Sequence, residues 1–100
     1  MSARENKYQR DLIGKLSHLL PGCLILKNDP NYIQGIPDLM ILHGDRWAML
    51  EVKASEHAAL RPNQKLYVDR LCRMGFARFI YPENEKEVIE ELQVYFGVGR

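Results

Sequence analysis

The sequence has few cysteines and no long hydrophobic run. Cys23 and Cys72 stand alone among its 100 residues, so a disulfide scaffold is not expected. No apolar stretch approaches the roughly 20 residues that span a bilayer. The charged N-terminal segment lacks the apolar core of a secretion signal. These absences lead us to expect a cytoplasmic protein with reduced thiols and no membrane partner.

An excess of charge of one sign is also lacking. The 14 Lys and Arg residues nearly balance the 13 Asp and Glu residues, for a net charge of +1. Taken by itself, such a balance argues against a nucleic-acid partner. No glycine-rich phosphate loop is present, so we expect no small-molecule organic cofactor. A chain of this length builds one core, and we predict a single domain over residues 1–100.

Turn residues divide the sequence into predicted helices and strands. Apolar residues at helical spacing indicate helices, and short β-branched runs indicate strands. The predicted order is a helix ending at Pro21–Gly22, strands at 23–27, 38–42 and 47–53, a helix from Pro62 to Gly75, a strand at 76–81, and a helix from Asn84 to Gly97. This order predicts an α/β fold with a mixed four-stranded sheet flanked by helices.

The second and third predicted strands are joined by a short polar turn. If Gly44–Asp45 forms a two-residue turn with glycine first, the register of the hairpin places Asp38 opposite Glu51. Lys53 follows Glu51 by two residues and therefore shares its face of the sheet. Directly opposed side chains lie about 5 Å apart. The sequence therefore predicts that two carboxylates and one lysine converge.

These three residue types suit phosphodiester hydrolysis. Two opposed carboxylates repel each other unless a cation lies between them. Carboxylate oxygens are good ligands for Mg²⁺ or Mn²⁺. A lysine beside such an ion can orient the attacking water or neutralise charge that develops on a phosphate.

The same residues resemble a known family. Pro37-Asp38 followed by Glu51-Val52-Lys53, with a glutamate in the first helix, resembles the PD-(D/E)xK nuclease superfamily. The segments Gly35–Asp38 and Arg61–Gln64 resemble its small, stand-alone VRR-NUC type, which is found in phages and related to Holliday junction resolvases. The resemblance covers about residues 5–81. The predicted αβββαβ order matches the restriction-endonuclease-like core of that superfamily, with an extra C-terminal helix.

The resemblance implies a Mg²⁺-dependent endodeoxyribonuclease in a bacterial or phage-infected cell, acting on Holliday junctions or other branched DNA. The metal ligands that it implies are Asp38, Glu51, the backbone carbonyl of Val52, and Glu5. It further implies that Lys53 positions the attacking water. Gln64 matches a glutamine of the second helix that faces the active site.

Structural interpretations compete for several of these residues. Glu5 could serve only as the third position of a capping box that begins at Ser2. Gln64 could be solvated near the start of the second helix. Trp47 and Met49 share the face of Glu51, and we expect them in the core rather than on a ligand.

The expected DNA contacts are Arg61, Lys65 and Arg73 in and before the second predicted helix, where a row of cations could follow a phosphate backbone. The acidic residues near the start of the last helix are explained by their favourable interaction with the positive end of the helix dipole. Cutting both strands of a junction needs two active sites, so we expect a homodimer. The alternative is a non-catalytic DNA-binding or assembly module that retains the nuclease fold.

Overall fold

The computed structural model describes residues 2–98. Its elements are α1 (Ala3–Leu19), β1 (Leu24–Lys27), β2 (Leu39–His43), β3 (Arg46–Val52), α2 (Gln64–Met74), β4 (Phe76–Ile80) and α3 (Glu85–Phe96). The predicted αβββαβ order with an extra C-terminal helix is confirmed. Within the described residues, no helix is both long enough and apolar enough to cross a membrane.

The four strands form one mixed sheet in the order β1-β2-β3-β4. β2 runs antiparallel to both β1 and β3, whereas β4 runs parallel to β3. The parallel pair requires a crossover, and α2 supplies it. The α/β class and the mixed sheet predicted from the sequence are therefore confirmed.

The β2–β3 hairpin has the predicted turn and register. Gly44 has a φ of 61°, and Asp45 has no positive φ, as a two-residue turn with glycine first requires. Leu39 pairs with Leu50 in β3. Continued by one pair beyond the end of β2, this register places Asp38 opposite Glu51.

The two faces of the sheet carry different layers. On one face, α1 and α3 pack onto alternate residues of the strands, because their leucines recur at helical spacing. The fully buried residues of this layer include Leu12, Leu16, Leu39, Ile41, Leu50, Ile80 and Leu92. Each such side chain contributes about 1.5–3 kcal/mol on burial. The opposite face packs against α2 over β3 and β4.

The start of α2 differs from the prediction. Pro62 does not occupy the first helical position, because Asn63 adopts a left-handed conformation with a φ of 70° and α2 begins at Gln64. Asn84 does precede α3, but its side chain makes no capping bond. The Asn84 carboxamide instead accepts the Tyr81 N–H at 2.9 Å.

Acidic residues of α3 bind cations of other elements. Arg78 of β4 donates to Glu87 and Glu91 at 3.0 and 2.5 Å. Glu85 accepts hydrogen bonds from Lys15 and from the Tyr8 hydroxyl, which joins α3 to α1. The helix dipole thus accounts for only part of this acidic cluster, and tertiary ion pairs stabilise Glu85, Glu87 and Glu91 as well.

Candidate functional site

Two carboxylates lie at the open end of the β2–β3 hairpin. Asp38 is half-buried immediately before β2, and Glu51 lies in β3 with only 2% of its surface exposed. Asp38 Oδ2 accepts the Val52 N–H at 2.8 Å. This bond holds the Asp38 carboxylate against β3, where it lies beside the Glu51 carboxylate.

Asn28 holds the segment that carries Asp38. Its backbone N–H donates to the Asp38 carbonyl at 2.9 Å, and its Nδ2 donates to the Pro37 carbonyl, also at 2.9 Å. Sequence reasoning missed this residue. If the β1–β2 pairing continues by one pair past Lys27, Asn28 lies opposite Asp38. The loop between these strands is too long for the sequence to predict this register.

The environment of the acid pair favours protonation. Burial, followed by the charge of Asp38, raises the pKa of Glu51 to about 9. Burial also raises the pKa of Asp38, against the effect of the Val52 N–H and the nearby Lys53 charge. Lys53 offsets only part of this effect, because the pKa of each carboxyl is still raised, so ionisation of both carboxyls calls for a further cation.

One oxygen of this pair lacks a hydrogen-bond donor. Within residues 2–98, no N–H or O–H group donates to the buried Glu51 Oε1, and the Asp38 carboxyl lies close enough to share a proton with the Glu51 carboxyl. Buried polar atoms are normally satisfied, so this orphan oxygen needs an explanation. An unsatisfied carboxylate oxygen beside a second carboxylate is a donor set suited to Mg²⁺ or Mn²⁺. The residues present therefore fit a divalent cation.

Lys53 lies beside the acid pair, just past the end of β3. It is only 5% exposed, and its Nζ is 4.0 Å from Glu51 Oε2. The same ammonium donates to the Ala59 carbonyl at 3.1 Å, so the segment between β3 and α2 covers it. The structure thus brings Asp38, Glu51 and Lys53 together in one place.

Gln64 connects Glu51 to the loop before α2. Its Nε2 donates to Glu51 Oε2 at 2.9 Å, and its Oε1 accepts the Arg61 N–H at 2.8 Å. With 8% exposure it is buried rather than solvated. Because both ends of its carboxamide are bonded, Gln64 holds the Glu51 carboxylate in one orientation.

Glu5 is less closely associated with the site. Its N–H donates to Ser2 Oγ at 3.1 Å, which is half of a capping box, and no bond between its carboxylate and the Ser2 N–H occurs in the described residues. Its charge is a minor contributor to the raised pKa of Glu51, after burial and Asp38. Across residues 2–98, however, no group of three or more His, Cys, Asp or Glu side chains is arranged to hold a metal.

A cleft of about 380 Å³ opens beside Asp38 and Gln64. One wall is the β1–β2 loop, where Gly35 has a φ of 92°. A Cβ at this position would lie 2.6 Å from Asn63 Cβ. The glycine therefore permits the close contact between this loop and the start of α2 that forms the cleft.

The three predicted DNA-binding residues lie at different distances from this cleft. Arg61 lines it, and its charge opposes the rise that burial causes in the Asp38 pKa. Lys65 is exposed in the first turn of α2 and pairs with Asp69 at 2.8 Å. Arg73 lies nine residues beyond Gln64 in α2, which corresponds to about 14 Å along the axis and the opposite side of the helix.

Comparisons with known proteins identify the fold. No family model matches the sequence, and no curated protein matches it. A solved structure described as "VRR_NUC domain protein" matches with a TM-score of 0.68 over 99% of this chain and 93% of that chain. The chain has the VRR_NUC fold. The match confirms the predicted VRR-NUC fold. Because the sequence identity is 20%, any activity must be argued from the residues of the site.

Proposed function

We propose that this chain is a metal-dependent DNA endonuclease. The observation that carries the proposal is the buried Glu51, whose Oε1 accepts no hydrogen bond from an N–H or O–H group within residues 2–98 and which lies beside Asp38 and Lys53. An arrangement that costs free energy in the absence of a ligand is typical of functional sites. The VRR_NUC fold supports the same proposal, since a solved protein described by that name shares it.

Asp38 and Glu51 would hold a Mg²⁺ or Mn²⁺ ion, with the Val52 carbonyl and Glu5 proposed as additional ligands. When bound, such an ion stabilises negative charge on the scissile phosphate and helps ionise water. Lys53 orients the attacking water and neutralises charge on the phosphate. Gln64 keeps Glu51 in the orientation that this chemistry needs, as side chains behind metal ligands commonly do.

The overall reaction adds water across a phosphodiester bond. The water oxygen bonds to phosphorus, the P–O3′ bond breaks, and the products are a 5′-phosphate and a 3′-hydroxyl. We propose that Arg61 binds a phosphate oxygen at the cleft; it lines the cleft, and its charge lowers the pKa of Asp38 there. We propose that Lys65 and Arg73 contact the DNA backbone farther along, and that the preferred substrate is Holliday junction or other branched DNA.

Replacement of Lys53 tests the enzyme proposal. With branched DNA and Mg²⁺, we expect Lys53→Ala to lower the cleavage rate by roughly 100-fold or more, since a positioned charge or proton donor contributes that much. Because Lys53 is buried, a thermal denaturation curve must show that the variant still folds. Lys7→Ala is the matched control, since Lys7 is exposed on α1 and pairs with Asp11. Equal cleavage, or none, by wild type and Lys53→Ala would contradict the proposal.

A non-catalytic DNA-binding module is the second candidate. The observation that favours it is the bond from Lys53 to the Ala59 carbonyl, which leaves the ammonium covered and partly engaged. A module of this kind would bind DNA with the same affinity in EDTA and would not cleave it in Mn²⁺. A gel-shift assay in EDTA and a cleavage assay in Mn²⁺ separate the two candidates.

We also propose a homodimer, because cutting two strands of a junction requires two active sites and twofold dimers are the commonest oligomers. Light scattering at the concentration of the cleavage assay is expected to give twice the chain mass of 11.6 kDa. A mass of one chain under conditions where both strands are cut would contradict this proposal.

A further inference from the structure

The face of the sheet that packs against α2 also carries an apolar cavity at its other end. α2 contacts β3 and β4 on this face. Beside β2 lies a cavity of about 420 Å³, within the range of small-ligand sites. Its lining consists of Asn28, Asp29, Tyr32, Ile33, Ile36, Met40 and Met49. Apolar walls with a few polar groups at the rim are the composition typical of small-ligand sites.

Tyr32 is the most exposed large apolar side chain at this cavity. Its exposed fraction is 83%, so its ring contributes little to the core. An exposed aromatic ring at the edge of an apolar cavity offers a face on which a planar group can stack. Nucleobases stack on such rings in proteins that bind single-stranded nucleic acid.

The cavity and the acid cleft are neighbours on one loop. Ile36 lines both, and it precedes Asp38 by two residues. The β1–β2 loop therefore forms a shared wall between the place proposed for the scissile phosphate and the apolar cavity. A nucleotide next to a phosphate bound in the cleft would therefore need to pass only this loop to enter the cavity.

The rim offers hydrogen-bond acceptors to a base. Asp29 Oδ1 accepts the Asn31 N–H at 2.8 Å, which fixes the carboxylate, while its other oxygen has no protein partner in the described part of the chain. The Asn28 amide nitrogen donates to the protein, so its Oδ1 remains as an acceptor. Acceptors of this kind bind the exocyclic amino groups of bases. The rim therefore suits a nucleobase better than a hydrocarbon chain.

We propose that this cavity, with Tyr32 as its stacking surface, binds an unpaired nucleobase next to the phosphate that is cleaved. A base can enter such a cavity only when it is out of the helical stack. The proposal rests on the proposed endonuclease function and narrows its substrate to DNA with an unpaired nucleotide at or beside the cut, as branch points provide.

The test compares two DNAs of the same sequence, with Ca²⁺ in place of Mg²⁺ so that binding is measured without cleavage. One is a fully paired duplex, and the other carries a single unpaired 2-aminopurine nucleotide at a branch point. For wild type we expect roughly 5- to 150-fold tighter binding of the branched DNA, the range that one base–aromatic stack contributes. Fluorescence of the 2-aminopurine should be quenched on binding.

Replacements at Tyr32 decide the role of the ring. Tyr32→Ala is expected to bring the affinity ratio of the two DNAs close to one and to abolish the quenching, whereas Tyr32→Phe retains both. The control is Val94→Ala, because Val94 is exposed on α3 and does not line the cavity. A wild type without preference, or an equal ratio in wild type and Tyr32→Ala, overturns the inference. So does light scattering in which Tyr32→Ala turns a dimer into a monomer, since the cavity is then a contact between copies.

Failure of this inference is distinguishable from failure of the proposed function. A wild type that cleaves DNA but shows no Tyr32-dependent preference refutes only the base site. A preference without cleavage refutes only the endonuclease activity. A protein that binds neither DNA refutes both.

Discussion

Glu51 combines deep burial with an unsatisfied oxygen and a neighbouring carboxylate. Its pKa in the folded, metal-free protein is about 9, above the ordinary value of 4.5. The folded state therefore holds a proton that the unfolded state releases between these two pH values. The free energy of unfolding changes with pH according to the difference in bound protons between the two states. The contribution of Glu51 is therefore most favourable below about pH 4.5, and the metal-free protein loses stability as the pH rises toward 9.

Glu51→Gln should stabilise the metal-free protein, because a carboxamide is neutral without taking up the proton that Glu51 must bind on folding above its ordinary pKa of 4.5. In EDTA at pH 8, we expect Glu51→Gln to raise the free energy of unfolding by roughly 1–4 kcal/mol, the range found when buried charges are replaced. The difference should vanish near pH 4, where both carboxyl and carboxamide are neutral. Thermal or urea denaturation across this pH range measures it.

Two controls accompany this measurement. Glu56→Gln, at an exposed position, should leave the pH profile unchanged. Saturating Mn²⁺ should restore the stability of wild type but not alter Glu51→Gln, because an ion stabilises only the state that binds it. The same variant should lose cleavage activity. An unchanged pH profile in Glu51→Gln would show that Glu51 is not the buried titrating group.

At the scale of elements, the cleft depends on a contact between two segments that are far apart in the sequence. Gly35 in the β1–β2 loop has a φ of 92° and packs against Asn63, which itself has a φ of 70°. The left-handed Asn63 ends the preceding segment and lets α2 begin at Gln64. Gln64 can then donate to Glu51 from the first turn of α2.

Gly35→Ala should disturb this contact. Its Cβ would lie 2.6 Å from Asn63 Cβ, so we expect a loss of roughly 2–4 kcal/mol from clash and left-handed strain together. Cleavage should fall as well, because the cleft wall must move. Denaturation curves and cleavage rates measure both effects.

Gly44→Ala is the matched control for this substitution. Gly44 also has a positive φ, of 61°, but a Cβ there meets nothing within 4 Å. Only backbone strain of about 1–2 kcal/mol is expected, with no specific loss of activity. Equal effects of the two substitutions would show that the contact with Asn63 is unimportant.

The start of α2 also shows where local signals mislead. Proline is favoured at the first helical position, so the sequence placed the helix start at Pro62. The contact of Asn63 with Gly35 moved the start two residues onward. Asn84 was similarly predicted as a cap from its position, but its carboxamide is occupied by the end of β4. At Asn63 a tertiary contact outweighed the local preference, whereas at Asn84 a competing local hydrogen bond did so.

At the scale of the whole molecule, the net charge of +1 is the sum of an acidic region and a basic region. Acidic residues of α3 are neutralised by Arg78 and Lys15 on the α3 side of the sheet. Arg61 and Lys65 lie at and beside the cleft, before and within the first turn of α2. A duplex that reaches the acid pair would therefore meet positive charge.

The salt dependence of DNA binding tests this arrangement. Each phosphate contact contributes about −0.9 to the slope of log affinity against log salt. Lys65→Ala is expected to make the slope shallower by about one and to weaken binding of all sequences alike. Lys86→Ala on α3 is the control, and its slope should equal that of wild type. A slope unaffected by Lys65→Ala would place the DNA on another surface.

The sequence by itself determined the order of elements, the mixed sheet and the alignment of Asp38 with Glu51 and Lys53. These follow from local physics: side chains alternate along a strand, and a two-residue turn sets the register of a hairpin. The resemblance of the PD and ExK residues to one nuclease superfamily, and of Gly35–Asp38 and Arg61–Gln64 to its VRR-NUC type, separately predicted the fold that the solved VRR_NUC domain protein shares.

Only the tertiary structure decided how this acid pair is enclosed. Asn28 clamps the Asp38 segment, Gln64 orients Glu51, and the Ala59 carbonyl covers Lys53. The cavity at Tyr32 likewise exists only because one loop folds against the sheet. Each of these contacts joins segments without a shared periodicity or turn, so no local pattern encodes it. The packing of the complete chain brings them together.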